Sequence, residues 1–331
     1  MTILDNLPNI IYSKNEIHQT IINNEILDTT LHVIMVISNP CQYTRRIVLA
    51  KEFIKRMEKF NNMELYIVEM LYKCNIENGY DYQITSSDNP KHLQLYTDIP
   101  LWHKENMINI GLRKLLPPSW KAFAWIDADI EFDNVHWVTD TLKILNGSKD
   151  IVQLFSVVSD QLKDKTTQRF FYSFGHQYEH ERQYVKYSLD YFHPGFAYAM
   201  TRKAYEQIGS LYELSILGSG DHNMSLSIIS NSQKSVNEDV TDNYKKSVYE
   251  FEQKSKNLRF GYVPGLIKHY YHGSKANRKY KERWGFLVEH RYDPNIHVTI
   301  DKDGILIPTD KMPRQLIDDI MNYFIDRKED D

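Results

Sequence analysis

Three observations predict an α/β chain with a mixed, mainly parallel central sheet flanked by helices. Short β-branched apolar runs alternate with amphipathic helical stretches up to residue 155. The spacing between successive strand candidates leaves room for a helix each time, as parallel neighbours require. The second half loses this regularity, which predicts a less ordered half set against the first.

The elements follow in order. Leu31–Ser38 is apolar and β-branched, and Asn39-Pro40 ends it as a turn. Residues 45–59 carry Ile47, Leu49, Ala50, Phe53, Ile54 and Met57 at helical spacing. Residues 64–70 form a second strand and 93–96 a third. Residues 101–116 form a helix stopped by Pro117-Pro118. Phe123–Ile126 is a buried strand, 134–145 a helix, and 151–155 another strand. Ser156–Lys165 marks a change of composition and a candidate subdomain border. Beyond it, 196–200 reads as a strand, 202–208 and 221–229 as helices, 232–257 as a polar surface helix or insertion, and 258–263 as a strand. Residues 274–290 are a basic helical stretch, with Lys275, Arg278, Lys279, Lys281 and Arg283. A hairpin pairs 298–300 with 305–307, its Asp301-Lys302-Asp303-Gly304 turn lacking the rest of a calcium loop. A helix over 315–327 closes the chain. The expected organisation is an extension over 1–30, a nucleotide-binding half over 31–155 and an acceptor half over 156–331, within one catalytic domain.

Composition excludes several classes. A net charge of -4 offers no general attraction to nucleic acid or anionic membrane. No window approaches the ~20 apolar residues of a membrane span. Residues 1–31 lack a basic region followed by an apolar one, so no signal peptide is read there. Cys41 and Cys74 are the only cysteines, too few for a disulfide framework. A soluble, cytoplasmic protein is expected, of undetermined oligomeric state.

Asp127-Ala128-Asp129 is the strongest chemical signal. Alternate residues of an extended backbone point the same way, so both carboxylates face one point beyond the Phe123–Ile126 strand. Paired anions at the end of a buried strand are costly without a cation. A divalent metal carrying a phosphate is the candidate; two solvated loop aspartates are the bland alternative.

With Ser38-Asn39-Pro40, residues 104–111, Asp127-Ala128-Asp129, Gly218-Ser219-Gly220-Asp221-His222 and His269-Tyr270-Tyr271-His272-Gly273 in this order, the chain resembles nucleotide-sugar-dependent glycosyltransferases of the GT-A fold. The resemblance spans Val33 to His272 and is nearest to the inverting family-two group and its galactosyltransferase-like relatives. It implies transfer from a nucleoside-diphosphate sugar, UDP-linked, to a glycan or other hydroxyl acceptor, with Mn²⁺ or Mg²⁺ as cofactor. It implies Asp129, with Asp127, as metal ligands, joined by His272 or alternatively His269. Nucleotide and donor contacts fall to Ser38, Asn39, Pro40, Tyr43, Glu69, Lys104, Asn109, Asp127, Ala128, Asp129, Lys275 and Arg278. The resemblance implies Asp221 as the base that deprotonates the acceptor, with His193, Gly195, Phe196, Gly220 and His222 lining the sugar and acceptor side. The chain departs from the family twice: Ile108 stands where an arginine is common, and Gly220 where a glutamate is frequent. Asp221 also suits a helix N-cap.

Other classes fit less well. A nucleotidyltransferase or a dehydrogenase needs a glycine-rich loop after the first strand, and Asn39–Tyr43 contains no glycine. A glycoside hydrolase would set two carboxylates across the scissile bond. A sugar-nucleotide or glycan-binding module without a base, and a retaining transferase, remain as alternatives.

Overall fold

A computed structural model describes residues 29–185, 191–280 and 282–331. The first half alternates as expected: β1 (Leu31–Ser38), α1 (Thr44–Met57), β2 (Met63–Tyr72), α2 (Lys73–Glu77), β3 (His92–Thr97), α3 (Lys104–Leu115) and β4 (Ala122–Ile126). There follow β5 (Ile130–Phe132), α4 (Trp137–Leu145), β6 (Ile151–Gln153), β7 (Val157–Gln161), β8 (Thr167–Tyr172), α5 (Phe174–Glu179), β9 (Ala197–Thr201), α6 (Arg202–Ile208), α7 (Gly220–Ile228) and α8 (Asp242–Ser255). The chain ends through β10 (Phe260–Tyr262), β11 (Leu266–His269), α9 (Glu282–Glu289), α10 (Pro294–His297), β12 (Val298–Ile300), β13 (Leu306–Pro308) and α11 (Arg314–Asp326).

The main sheet runs β10-β6-β9-β4-β1-β2-β3. All its pairs are parallel except those of β9, which lies antiparallel between β4 and β6. Strand β1 shows why both faces are covered. Val33, Met35 and Ile37 pack into one apolar layer with Phe53 of α1, while Ile34 joins the other beside Met107 and Ile110 of α3. Period-two alternation thus feeds two cores, which is why the strand reads as a continuous apolar run.

A second sheet, in the order β5-β11-β7-β8, was not expected. Its strand β5 begins directly after the Asp127–Asp129 turn, and β11 lies between β5 and β7. The apolar runs are only three to five residues long here, too short for periodicity to separate strand from loop. Half of Ser156–Lys165 is β7, largely buried and paired on both sides.

Three boundaries moved for local reasons. Trp102 N–H donates to Ile216 O at 2.9 Å, so the third helix starts at Lys104 rather than Leu101. Lys279 adopts φ +43°, which splits the basic stretch into a short turn over Ala276–Arg278 and α9. Helix α7 begins at Gly220 after Ser219, so Asp221 is in its first turn and is not the N-cap. Lys281 and residues 1–28 lie outside the described residues. Among the described residues no helix is long and apolar enough to cross a membrane.

Helix α5 meets β10 at backbone distance. A Cβ at Gly175 would lie 2.5 Å from the carbonyl oxygen of Gly261, and backbone cannot step aside as a side chain can. Gly175→Ala is expected to destabilise the chain by about 2–3 kcal/mol, read as a lowered urea midpoint with unchanged slope. An unchanged midpoint would show that α5 is free to shift.

Candidate metal and donor site

The two sheets meet where β4 ends. Asp127 N–H donates to Phe196 O at 2.8 Å, and Asp129 O accepts from Tyr270 N–H at 2.8 Å. The aspartate turn is thereby tied to β9 on one side and to the end of β11 on the other. That second tie brings His269 and His272 to Asp129. One ligand atom from each of the three lies within 4.8 Å of the others.

The protonation pattern of this group points to a cation. His269 Nδ1–H donates to Asp160 Oδ1 at 2.8 Å, which leaves the Nε2 lone pair 3.8 Å from Asp129 Oδ2. Arg278 Nη2 donates to His272 Nε2 at 2.7 Å, so that nitrogen also carries a lone pair. It lies 2.7 Å from the same Asp129 oxygen. Two acceptors at that separation repel unless a positive charge is shared between them. His269 Nε2 and Asp129 Oδ1 are both buried without a hydrogen-bond partner. One carboxylate and two imidazoles are a donor set that suits a divalent first-row metal. Burial alone would raise the Asp129 carboxyl; positive charge carried by the His272 and His269 rings, with Arg278, holds it well below the usual carboxylate range.

Asp127 has a different partner. Its Oδ1 pairs with Lys104 Nζ at 2.5 Å, so it stands outside the three-ligand group, against the expectation that it is a ligand. Lys104 in turn is engaged by a carboxylate rather than free for phosphate. Burial depresses the Lys104 ammonium, and Asp127, Asp221 and Glu105 more than restore it above its ordinary value.

These groups line a cavity of about 680 Å³. Ser38, Lys104, Asp127, Ala128, Asp129, His193, Gly195, Phe196, Asp221, His222, His269, His272, Lys275 and Arg278 all face it, as do Trp102 and Trp284. Asp221 reaches over Gly195, where a Cβ would lie 2.7 Å from its Oδ2. His193 stacks on Phe196 at 4.1 Å, and burial pushes its imidazole well below the ordinary value. His222 Nε2 shares a hydrogen bond with Tyr184 OH at 2.8 Å.

Six expected contacts are absent from the lining. Asn39 pins its own turn, accepting from Tyr43 N–H and donating to Tyr43 O, both at 2.9 Å. Pro40 O accepts from Asn75 Nδ2 at 2.8 Å. Tyr43 OH donates to Ile325 O at 2.6 Å and anchors the end of α11. Glu69 is neither a base contact nor a surface residue: buried, it accepts from the N–H groups of Gln83, Ile84 and Thr85. Asn109 is fully buried and clamps residue 211, donating to Leu211 O and accepting from Leu211 N–H. Gly220 faces Glu105, whose carboxyl carbon lies 2.6 Å from where a Cβ would be. The space that a side chain at 220 would take thus holds a carboxyl from another helix.

Sequence reasoning missed Glu105, Asp160, Arg46, Arg169, Phe171, Tyr191, Arg327 and Glu329. Asp160, the penultimate residue of β7, holds His269, Lys275 and, at 3.2 Å, Arg169 Nε. Against its burial, His269 and Lys275 keep its carboxyl well below the usual range. An acid closing a strand was a signal available for Asp160; nothing local marks Glu105 or Glu329.

No family model matches the chain, and no curated protein matches its sequence. Solved structures resemble it distantly. A mutant of Drosophila β1,4-galactosyltransferase 7 with manganese, UDP-Gal and xylobiose is 10% identical, with a TM-score of 0.40 over 82% of this chain and 87% of that one. The mannosyltransferase PcManGT from Pyrobaculum calidifontis with GDP-Man and Mn²⁺ is 11% identical, with a TM-score of 0.39 over 86% and 70%. A 4-diphosphocytidyl-2C-methyl-D-erythritol synthase from Anaerococcus prevotii is 12% identical, with a TM-score of 0.31 over 80% and 96%.

Glu105 gives a pH test. Burial, then Asp221 and Asp127, outweigh Lys104 and push its carboxyl up to about 8. From the pH at which an exposed glutamate ionises up to about 8, the unfolded chain has released a proton that the folded chain keeps. Stability therefore falls as pH rises through that window. In chelator, Glu105→Gln should match the parent chain at pH 4 and exceed it at pH 9 by roughly 5 kcal/mol. Parallel stability curves for the two chains would place Glu105 in a polar environment instead.

Proposed function

We propose that the chain is a divalent-metal-dependent glycosyltransferase, moving a sugar from a nucleoside-diphosphate donor, UDP-linked, to a hydroxyl of a glycan or other acceptor with inversion. One observation carries this: Asp129, His269 and His272 converge, with two buried atoms unpartnered, on a cavity that Asp221 also lines.

Asp129, His269 and His272 would hold the ion, and the imidazoles favour Mn²⁺ over Mg²⁺. The chemistry such an ion supplies is Lewis-acid neutralisation of the charge that develops on the leaving diphosphate. The chain's own groups do the rest. Arg278 and Lys275 line the cavity and can exchange His272 and Asp160 for phosphate oxygens. Lys104 neutralises Asp127, which keeps a second buried anion from opposing the donor. Trp102, Trp284, Tyr191 and Phe171 give the cavity apolar walls that exclude water and can stack on a sugar face. Asp221 accepts the proton of the attacking hydroxyl. Its Oδ1 takes an N–H from His222 at 2.8 Å, which orients the carboxylate and leaves Oδ2 over Gly195.

A thermal-shift panel of UDP-, GDP- and CDP-sugars, each with and without Mn²⁺, tests donor and ion together. A UDP-sugar is expected to raise the melting temperature, and more with Mn²⁺ than without it. No shift with any nucleotide sugar would end the proposal. Asp221→Asn should keep the shift and lose transfer by about 10²–10⁴-fold, measured by release of nucleoside diphosphate in the presence of acceptor. Retained turnover would remove Asp221 as the base. A shift with no transfer from the unaltered chain to any glycan would instead favour a binding module.

A further inference from the structure

The segment that follows α11 reaches back into the site. We propose that Glu329 is a positioning residue for His272, as Asp160 is for His269, and that Arg327–Asp330 is the strap holding it there. This rests on Asp129, His269 and His272 being metal ligands.

Glu329 is 1% exposed although it lies near the end of the chain. Three cationic or protic groups surround it. Arg46 reaches it with both Nε and Nη2, the latter at 2.8 Å. Arg327 Nε donates to its Oε1 at 2.5 Å. His272 Nδ1 lies 3.6 Å from its Oε2, an ion-pair separation. Around this point the strap is fastened on several sides. Asp330 accepts from Thr44 N–H at 3.0 Å and Arg45 N–H at 2.7 Å, at the start of α1. Lys328 N–H donates to Tyr43 OH at 3.1 Å. Gly273, at φ +82°, lies flat against it: a Cβ there would sit 2.9 Å from Arg327 O and 3.0 Å from the Glu329 Cα.

The orientation of His272 makes the role specific. Arg278 donates to Nε2, so the ring proton is on Nδ1, on the side of Glu329. His269 has the same arrangement, with Nδ1–H on Asp160 and Nε2 facing Asp129. Each imidazole therefore has a buried carboxylate behind it and Asp129 in front. A carboxylate behind a ligating imidazole fixes tautomer and ring orientation and strengthens the nitrogen that binds metal. Burying a carboxylate between two guanidiniums is not, by itself, a good way to stabilise a fold. Its contact with His272 is what distinguishes Glu329 from a clasp that could have been apolar.

The test compares the full chain with Glu329→Gln and Asp160→Asn, and with Glu252→Gln as control. Glu252, on α8, is buried and accepts from Ser232 N–H; it lines neither the cavity nor the metal group. Mn²⁺ affinity is measured by calorimetry, and nitrogen couplings to bound Mn²⁺ by pulsed electron paramagnetic resonance. The unaltered chain should show two imidazole nitrogens. Glu329→Gln and Asp160→Asn should each weaken Mn²⁺ binding by about 10–100-fold and alter one of the two couplings. Glu252→Gln should lower the melting temperature with neither change. Should Glu329→Gln fail to fold, Glu329→Asp keeps a charge for both arginines while withdrawing it from His272, and must show the same loss. Mn²⁺ binding and both couplings unchanged in a folded Glu329 variant would overturn the proposal while leaving the metal site standing. No Mn²⁺ binding by the unaltered chain would overturn both.

Discussion

The site is organised around one electrostatic constraint: a buried carboxylate, Asp129, faces two imidazole lone pairs. Each neighbour is placed by that arrangement. Asp160 takes the far proton of His269, Arg278 donates to His272, and the aspartate backbone is tied to Tyr270. Remove the two histidines and Asp129 would keep only Arg278 to offset the cost of burying its charge. Remove Asp129 and the imidazoles would face one another with nothing between them. Such a group is held together by surrounding packing and by whatever cation it binds, and not by its own attraction.

That packing explains the second sheet. The main sheet ends at Ile126 and delivers Asp127 and Asp129 to its carboxyl edge, where ligands of parallel α/β sheets bind. It cannot also deliver His269, which comes from an element far along the chain. Strand β11 solves this by pairing with β5, which begins one residue after Asp129, and with β7, whose Asp160 stands directly opposite His269. The register that sets His269 against Asp160 is therefore the same one that sets it beside Ile130. A one-residue slip would turn every one of these side chains to the other face.

This division marks what could be read from the sequence. Strands of the main sheet bury both faces, so they appear as apolar runs, and β1 was placed to the residue. Asp127-Ala128-Asp129 and the two histidines were visible because they sit at strand ends with a period-two spacing or a turn behind them. The short strands of the second sheet were not visible, since three to six residues carry little period. Asn109 and Glu69 were misassigned for a related reason. A polar residue on an otherwise apolar element signals either a ligand or a buried clamp, and the sequence does not separate the two. In Asn109 the clamp is on Leu211, about a hundred residues away. Glu329 lay in a charged tail of the kind that is ordinarily solvated, and only the fold shows it 1% exposed.

Gly220 and Glu105 show how a departure from a family pattern can be made up elsewhere. The family resemblance sets a glutamate at 220, and the chain has a glycine there. The structure fills that space with the Glu105 carboxyl, brought in from α3 beside Lys104. The exchange has a consequence for protonation. A glutamate in the first turn of α7 would be favoured as an anion by the helix dipole. Glu105 is buried, and burial with Asp221 and Asp127 outweighs the help that Lys104 and a backbone N–H give its ionised form. It therefore keeps its proton up to about 8. The protonation of this carboxyl is set by its surroundings and not by its residue type.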